Sequence, residues 1–221
     1  MRRSEIKEIS KKQLNRNGNW KIPVLLTAVT LLISGYSTSN KYISQSLILT
    51  ISITLVNSLL NIYFVKSCLE IAAKSYEDEY IGWANIMISG KTFIKCILYS
   101  ILMSLLITVI TLSITLLGLT IPVMFIAFGA IAIIIGIVIS IYSAFSIFII
   151  IDMDVDVFEA LRISINLIRG HFGEMIVLTL SFIWWYLLGI VTLGIAMFWV
   201  MPYMTITFCN YYLHFYRNKY N

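Results

Sequence analysis

Long apolar stretches separated by short polar ones dominate the chain. A transmembrane helix needs about 20 consecutive, mostly apolar residues. Six stretches approach or exceed this length, and each predicts a membrane-spanning helix. The six predicted spans are Ile22–Tyr36, Ile43–Val65, Phe93–Leu117, Ile121–Ile151, Met175–Val191 and Ile195–Tyr212. The pattern therefore predicts an all-α fold, a polytopic membrane helical bundle with six transmembrane helices.

Two of the connections between spans are short enough to predict helical hairpins. Residues 93–151 contain no charge after Lys95 and are about twice the length of one span. This stretch is expected to turn at Gly118–Thr120, with Pro122 in the first turn of the returning helix. The last two spans are expected to turn in the same way at Thr192–Gly194.

A helical repeat of apolar residues marks the connection after the fourth span. These residues are Phe158, Leu161, Ile165 and Ile168. Asp156 followed three residues later by Glu159 has the form of a capping box. The spacing predicts an amphipathic interfacial helix over about residues 156–169, with its apolar face toward the membrane.

Three glycines, Gly18, Gly90 and Gly170, each stand just before a predicted hairpin. A glycine there allows the chain to end a surface helix and turn into the bilayer. One interpretation is a threefold internal repeat of surface helix plus hairpin. The alternative is that any six-span protein with a cytoplasmic N-terminus has three such approaches to the membrane.

The basic residues give these spans an orientation. Of the 16 Lys and Arg residues, all except Lys41 fall on one side of the six-span arrangement. Cytoplasmic loops carry the excess of Lys and Arg, so both termini are predicted to be cytoplasmic. We divide the chain into a basic amphipathic segment (1–21), a transmembrane domain (22–216) and a cytoplasmic tail (217–221).

The composition excludes an ordinary soluble domain. Hydrophobic residues make up 59% of the chain and charged residues 12%, with a mean hydropathy of +0.89. Soluble proteins have about 25% charged residues, so lipid is expected to cover much of this surface. The net charge of +5 follows the predicted membrane topology, and no nucleic-acid partner is expected.

The residues that usually carry out catalysis are few and scattered. The only histidines, His171 and His214, fall at predicted helix ends, where anchoring at the interface is the favoured interpretation. The three cysteines have no metal-like spacing. Acidic residues near Asp154 could hold a hard cation, but a solvated helix boundary is favoured. We expect no enzymatic activity, no cofactor and no metal site.

Polar and small residues inside the spans are the remaining candidates for a functional role. Asn57 and Asn61 lie one turn apart on the second span and predict either a polar path or hydrogen bonds between helices. Gly129, Ala132 and Gly136 give the fourth span a narrow face for close helix contact. That contact could be internal or could join two copies of the chain.

Several stretches resemble an uncharacterised bacterial membrane family, domain of unknown function 975. They are Val157–Ser164, Gly170–Phe172, Trp184–Gly189, Thr192–Gly194 and Pro202–Tyr203, with the opening Arg3–Trp20. A more distant similarity is to the membrane domain of membrane-anchored glycerophosphodiester phosphodiesterases, whose catalytic barrel has no counterpart here. The resemblance implies a six-helix bacterial plasma-membrane fold and transfers no active-site residue.

Two functional hypotheses follow. The first is a non-enzymatic membrane protein, either permease-like or the membrane subunit of a transport or envelope assembly. The alternative is an immunity protein that protects against a membrane-active peptide. The expected partners are membrane lipid and either further copies of the chain or other membrane subunits. The expected location is the bacterial cytoplasmic membrane.

Overall fold

A computed structural model of the chain describes residues 3–39, 46–74, 81–120 and 125–220. All regular secondary structure in these ranges is helical, as the sequence predicts. The α-helices are α1 (Arg3–Asn15), α2 (Lys21–Ser39), α3 (Leu47–Ala73), α4 (Gly90–Thr120), α5 (Phe125–Ser143), α6 (Ser146–Met153), α7 (Val157–Ile168), α8 (Phe172–Leu180), α9 (Ile183–Val191) and α10 (Met197–Tyr220). Short 3₁₀ helices cover Arg16–Gly18 and Trp83–Ile86.

Four helical segments are long and apolar enough to cross a membrane. They are Ile48–Ala73, Gly90–Leu116, Gly129–Met153 and Phe172–Val191. A fifth is reached when α1 and α2, which are bent by 97° relative to each other, count as one broken span. Within the described residues α10 is not among these candidates, and its tyrosines and polar residues explain its lower hydropathy.

The chain forms two compact units, which are described separately. The first unit comprises Met1–Ser89 and Val177–Asn221, and the second comprises Gly90–Ile176. In the first unit the sharp turn between α1 and α2 uses two left-handed residues, Asn17 with φ 49° and Gly18 with φ 76°. Glycine adopts this conformation at no steric cost, so Gly18 has the turn-forming role that its sequence position predicts.

The central helix of the first unit is α10, which packs against α1, α2 and α3. Its buried side chains extend over nearly its whole length. They are Val200, Pro202, Met204, Ile206, Thr207, Cys209, Tyr211, Tyr212 and Phe215. Enclosure by three other helices shields α10 from its surroundings, so it can carry Thr and Tyr residues that an isolated apolar helix would lack.

A buried polar network fixes α1 to its neighbours. The Asn210 amide donates to Ser10 Oγ (3.0 Å) and to Gln13 Oε1 (2.6 Å). Gln13 in turn donates to the Ala72 carbonyl at the end of α3 (3.5 Å). Ser10 and Gln13 are both buried, so the face that α1 presents to the bundle is partly polar and specifically hydrogen-bonded.

The connection between α9 and α10 is a tight turn at the predicted position. Leu193 (φ 51°) and Gly194 (φ 89°) are both left-handed. The Gly194 N–H reaches back to the Gly189 carbonyl (2.7 Å), a pattern typical of a Schellman helix end. A Cβ at Gly189 would overlap the terminal methyl of Met197, so glycine leaves room for this side chain against α9.

In the second unit α4 pairs with α5, and the continuation of α5 is broken before α6. Ser164 on α7 lies at this break, where its Oγ donates to the Tyr142 carbonyl (2.7 Å) and accepts from the Phe145 N–H (3.3 Å). One buried hydroxyl therefore satisfies two backbone groups that the interrupted helix leaves without their usual partners. Sequence reasoning treated 121–151 as one uninterrupted span and did not anticipate this break.

Helix α7 packs into the second unit through a face that lies next to the apolar stripe predicted to face the membrane, and Ile168 belongs to both. The buried side chains are Val157, Ala160, Ser164, Leu167 and Ile168, and the small residues Ala160 and Ser164 allow close packing. The predicted apolar stripe includes Phe158, which is 75% exposed, and Ile165, which is 39% exposed. Leu161 of the stripe is half-buried and Ile168 is buried, so two of its four residues lie on the surface of the unit and its contact with a membrane stays a prediction.

One predicted turn was wrong, and three other features cannot be compared. Helix α4 continues through Thr120, so Gly118–Thr120 is helical; an isolated glycine is tolerated there because helical hydrogen bonds are strongly favoured in an apolar setting. Pro122, Lys41 and a second acidic cluster of the sequence, Glu77-Asp78-Glu79, lie outside the described residues.

Candidate functional site

Asn57 and Asn61 differ in their surroundings on α3. Asn61 is exposed and Asn57 is half-buried. The Asn57 Oδ1 atom is enclosed and has no hydrogen-bond partner within the part of the chain that the structure describes. Neither residue lines the cavities described below, so a polar path along this pair stays a prediction.

The small-residue face of α5 is open within the described residues. A Cβ built at Gly129 or Gly136 would meet no atom within 4 Å, and Ala132 between them is half-buried. There is thus room beside both glycines for a larger side chain or a closely packed neighbour.

The three glycines of the predicted repeat do not share one conformation. Gly18 is left-handed, whereas Gly90 is the first residue of α4 and Gly170 follows the end of α7, neither with a positive φ. An α-helix precedes two of the three glycines: α1 precedes Gly18, and α7 precedes Gly170. Before α4 the described residues contain only the 3₁₀ helix Trp83–Ile86. The repeat stays a hypothesis.

Residues that could bind a metal are dispersed. No group of three or more His, Cys, Asp or Glu side chains with metal-binding geometry occurs among residues 3–39, 46–74, 81–120 and 125–220. Cys68, Cys96 and Cys209 are buried and are not joined in disulfides. These cysteines contribute small apolar side chains to the core.

Asp154 joins the end of α6 to the start of α4 in the second unit. It accepts a hydrogen bond from Thr92 Oγ1 (2.8 Å), and Lys95 Nζ lies 3.1 Å from the same carboxylate oxygen. The Thr92 hydrogen bond and then Lys95 lower the pKa of Asp154 below its ordinary value. Asp154 is itself left-handed (φ 52°), so this acidic residue terminates a helix and ties two helices together.

The best-formed cavity of the first unit has an aromatic wall. It encloses about 400 Å³ between the C-terminal half of α1, the start of α2, and helices α9 and α10. Two ring pairs build the wall: Trp20 meets Trp199 edge to face at 5.1 Å, and Trp185 meets Tyr203 at 5.8 Å. Its volume is in the usual range for small-molecule sites, about 300–1,000 Å³.

The polar groups around this cavity are mainly hydrogen-bond donors. The lining includes Lys11, Asn15, the three indoles and the Tyr203 hydroxyl. In the described part of the chain, none of these side chains has a hydrogen-bond or ion-pair partner. An apolar cavity edged with unused donors and one ammonium group is suited to an amphiphile with a negatively charged, oxygen-rich head.

The other lysines of α1 differ from Lys11 because they have partners. Lys12 pairs with Glu8 at 2.8 Å. Lys7 Nζ donates to Ser181 Oγ (2.6 Å) and lies 4.4 Å above the centre of the Phe182 ring. Burial, and then the charge of Arg3, lower the pKa of Lys7. Lys11 is thus the cation on this face of α1 that remains open to a ligand.

A shallower groove runs along the second unit. It encloses about 640 Å³ and is lined by residues of α4, α5 and α7, including Leu106, Val138 and the exposed Phe158. The lining is mainly apolar, and its polar members are Tyr142, Ser143 and Arg169. Such a surface suits helix packing or contact with lipid.

Sequence reasoning missed the aromatic cavity. Trp184–Gly189 and Trp20 were noticed in the stretches that resemble a known family, and neither was assigned to a site. Trp20 lies 165 residues before Trp185 and 179 before Trp199, and no periodic pattern connects them. The available signal was the tryptophan content itself, since Trp is enriched at membrane interfaces, together with the position of Trp20 beside Lys21.

Comparison with known proteins identifies one family for this chain. A family model described as "Protein of unknown function (DUF975)" matches residues 1–219. No curated protein matches the chain. No solved structure matches it either.

Proposed function

The chain belongs to the DUF975 family of proteins of unknown function, and from that premise we propose that it is a non-enzymatic integral membrane protein that acts as the membrane subunit of a transport or envelope assembly. The carrying observation is a row of hydroxyl side chains on α4. This hydroxyl face consists of Ser100, Ser104, Thr108, Thr111 and Thr115, all exposed.

The spacing of these residues places them on one side of the helix, about 80° wide at 100° per residue. Each hydroxyl donates to a carbonyl of its own helix, for example Thr108 to Ser104 at 2.8 Å. The groups are therefore satisfied without a ligand. In membranes, rows of small and hydroxyl residues are enriched where helices pack closely, which favours a helix from another chain as the partner of this face.

The open glycine face of α5 supports the same role. Helix α5, which pairs with α4, contains Gly129, Ala132 and Gly136. A Cβ at either glycine would meet no atom within 4 Å. The second unit thus offers two adjacent helices with small-residue faces. Together they favour a docking surface in the membrane over a protein that acts alone.

Photo-crosslinking in native membranes tests the docking role. Benzoylphenylalanine would replace Thr108 in one variant and Val109 in a matched variant at the same depth, about 100° around the helix. We expect a discrete crosslinked band, a second copy or another membrane protein, from position 108 and only lipid adducts from 109. Equal lipid adducts from both positions would contradict the proposal.

The six-span topology is part of the proposal. Support comes from the four or five segments that meet the length and hydropathy criteria and from the one-sided distribution of basic residues. The sixth span would be α10, whose enclosure by α1, α2 and α3 reduces its need for apolar residues. In a six-span arrangement Trp20 would lie at the cytoplasmic end of α2 and Trp199 near the outer end of α10, yet their rings are 5.1 Å apart. The third hairpin, formed by α8, α9 and α10, is therefore the one that must be tested.

Cysteine accessibility tests this hairpin. A single reactive cysteine would replace Leu193, which is 93% exposed at its tip, and intact cells would be treated with a membrane-impermeant maleimide. Labelling equal to that of a Lys41→Cys control supports six spans. Labelling of Lys41→Cys alone would mean that the third hairpin turns back before the outer surface, and the six-span topology would be wrong.

The non-enzymatic assignment has its own test. Purified protein in lipid nanodiscs should show no turnover of phospholipid or lipid-phosphate substrates. A steady turnover that is abolished by one polar substitution, such as Asn57→Leu, would overturn it.

A further inference from the structure

We propose that the aromatic cavity of the first unit is a binding site for the phosphate-bearing headgroup of an anionic membrane phospholipid. The inference rests on the membrane location proposed above but not on the assembly role. It names a ligand class for a cavity in the first unit, whereas the docking role concerns α4 and α5.

The chemistry of the lining selects the charge of the ligand. Lys11, Asn15 and three indole N–H groups are donors, and Tyr203 can donate as well. Within the described ranges no carboxylate lines this cavity. A phosphodiester offers several strong acceptor oxygens and one negative charge, so it would satisfy these donors, whereas a cationic ligand would meet the Lys11 ammonium group.

The position of the cavity selects a lipid over a free solute. Tryptophan is enriched at the membrane–water interface because the ring is apolar and its N–H is polar. Three of the five tryptophans of the chain, Trp20, Trp185 and Trp199, line this one cavity. Leu14 and Val200 complete an apolar floor that suits the glycerol and the first acyl carbons.

A surface depression lined mainly by basic residues adjoins the cavity. Lys11 and Asn15 also line a shallow surface depression with Lys12, Arg16 and Glu8 on the outer side of α1. Each Lys or Arg near an anionic bilayer adds electrostatic attraction to it. The depression would collect anionic headgroups, and the donors of the cavity would hold one in a fixed position.

Bromolipid quenching of tryptophan fluorescence tests this site. Trp83→Phe and Trp184→Phe remove the two tryptophans that do not line the cavity, so every remaining indole reports on it. The protein would be reconstituted in phosphatidylcholine vesicles containing a small fraction of lipid with brominated acyl chains. We expect brominated phosphatidylglycerol to quench more strongly than brominated phosphatidylcholine, with a severalfold higher relative affinity.

Two matched variants identify the responsible charge. Lys11→Gln should reduce the preference for phosphatidylglycerol about fivefold, the ratio that corresponds to about 1 kcal/mol. Lys12→Gln removes the same charge one residue away, from a side chain that does not line the cavity, and should leave most of the preference intact. Circular dichroism of both variants checks that each retains the wild-type helix content.

Three results would overturn the proposal. Equal quenching by the two brominated lipids would remove the anionic selectivity. An equal loss of preference in both variants would indicate diffuse attraction to α1 rather than a site. Quenching relieved by soluble glycerol phosphate at concentrations similar to those of the lipid would identify a free phosphate ester as the ligand.

Discussion

At the scale of single residues, Leu193 and Asp154 both have a left-handed backbone conformation. The Asp154 carboxylate also links two helices. Leu193 adopts a left-handed conformation that leucine rarely takes. Asp154 combines a left-handed backbone with a carboxylate that holds Thr92 and Lys95. In both cases the local geometry, rather than burial, determines what a substitution should do.

Leu193→Gly is expected to stabilise the protein. The left-handed conformation costs an L-residue about 1–2 kcal/mol, and Leu193 is 93% exposed, so glycine relieves strain and loses little packing. Gly194→Ala at φ 89° should lower stability by a similar amount. Thermal unfolding in mild detergent measures both, and a lower midpoint for Leu193→Gly would show that the leucine makes a stabilising contact in lipid or detergent.

Asp154→Asn should remove part of the pH dependence of stability. Because the hydrogen bond from Thr92 and the charge of Lys95 lower the folded-state pKa of Asp154, its contribution is present above the ordinary carboxyl pKa near 3.8 and is lost as pH falls through the folded value. Thermal midpoints between pH 6 and 3 should fall less steeply in the variant. Parallel profiles would contradict this role.

At the scale of elements, polar side chains decide how helices meet. The α1 helix is fixed to α10 by Asn210, and α7 is fixed at the α5–α6 break by Ser164. Both contacts are buried, where an unpaired polar group costs about 1–3 kcal/mol. The burial of apolar side chains brings these helices together, and the buried hydrogen bonds select one relative position of the helices.

Asn210→Ala should destabilise the protein by about 1–3 kcal/mol, because Ser10 and Gln13 would lose their partner inside the bundle. The matched control is Asn218→Ala on the same helix, where the side chain is exposed and a change within about 0.5 kcal/mol is expected. Limited proteolysis of α1 together with thermal unfolding measures the difference. Similar values for the two variants would mean that the network contributes little.

Ser164→Ala should lower stability by about 1–2 kcal/mol, because the Phe145 N–H and the Tyr142 carbonyl would both lose a buried partner. Ser140→Ala provides the control, since that hydroxyl is exposed and donates only to Gly136 of its own helix. Thermal unfolding of both variants in the same detergent, without added denaturant, compares their stabilities. A neutral Ser164→Ala would indicate that water or backbone adjustment replaces the hydroxyl.

At the scale of the whole molecule, exposed apolar helices and one-sided charge are the main features. No residue in the most apolar window of α4 is buried, and the exposed leucines and isoleucines of α3 to α5 need a lipid or protein covering. The match of residues 1–219 to the DUF975 family confirms the family resemblance seen in the sequence.

Reporter fusions at the two ends test the orientation of the whole chain. A fluorescent protein that matures only in the cytoplasm should be bright at either terminus, and alkaline phosphatase, which is active only outside, should be inactive at both. The cytoplasmic location of both ends is predicted by the distribution of basic residues. It holds whether the third hairpin crosses the membrane or turns back inside it, because the number of crossings is even in both cases. An active phosphatase at one end would require an odd number of crossings.

The helical class and the family of the chain follow from the sequence alone. Apolar stretches of span length allow little else, because backbone groups in lipid must be satisfied within a helix or a closed barrel. It also placed the turn at Thr192–Gly194, since glycine after an apolar run ends a helix.

The helix faces that meet, and the place where a cavity forms, depend on the tertiary structure. The α7 helix buries Ala160 and Ser164 instead of Phe158 because small residues permit close approach, and α10 is central despite its modest hydropathy. The cavity joins Lys11 and Trp20 to Trp199, which are distant in the sequence. Such juxtapositions depend on helix packing, and a one-dimensional pattern carries no information about which helix lies opposite a given face.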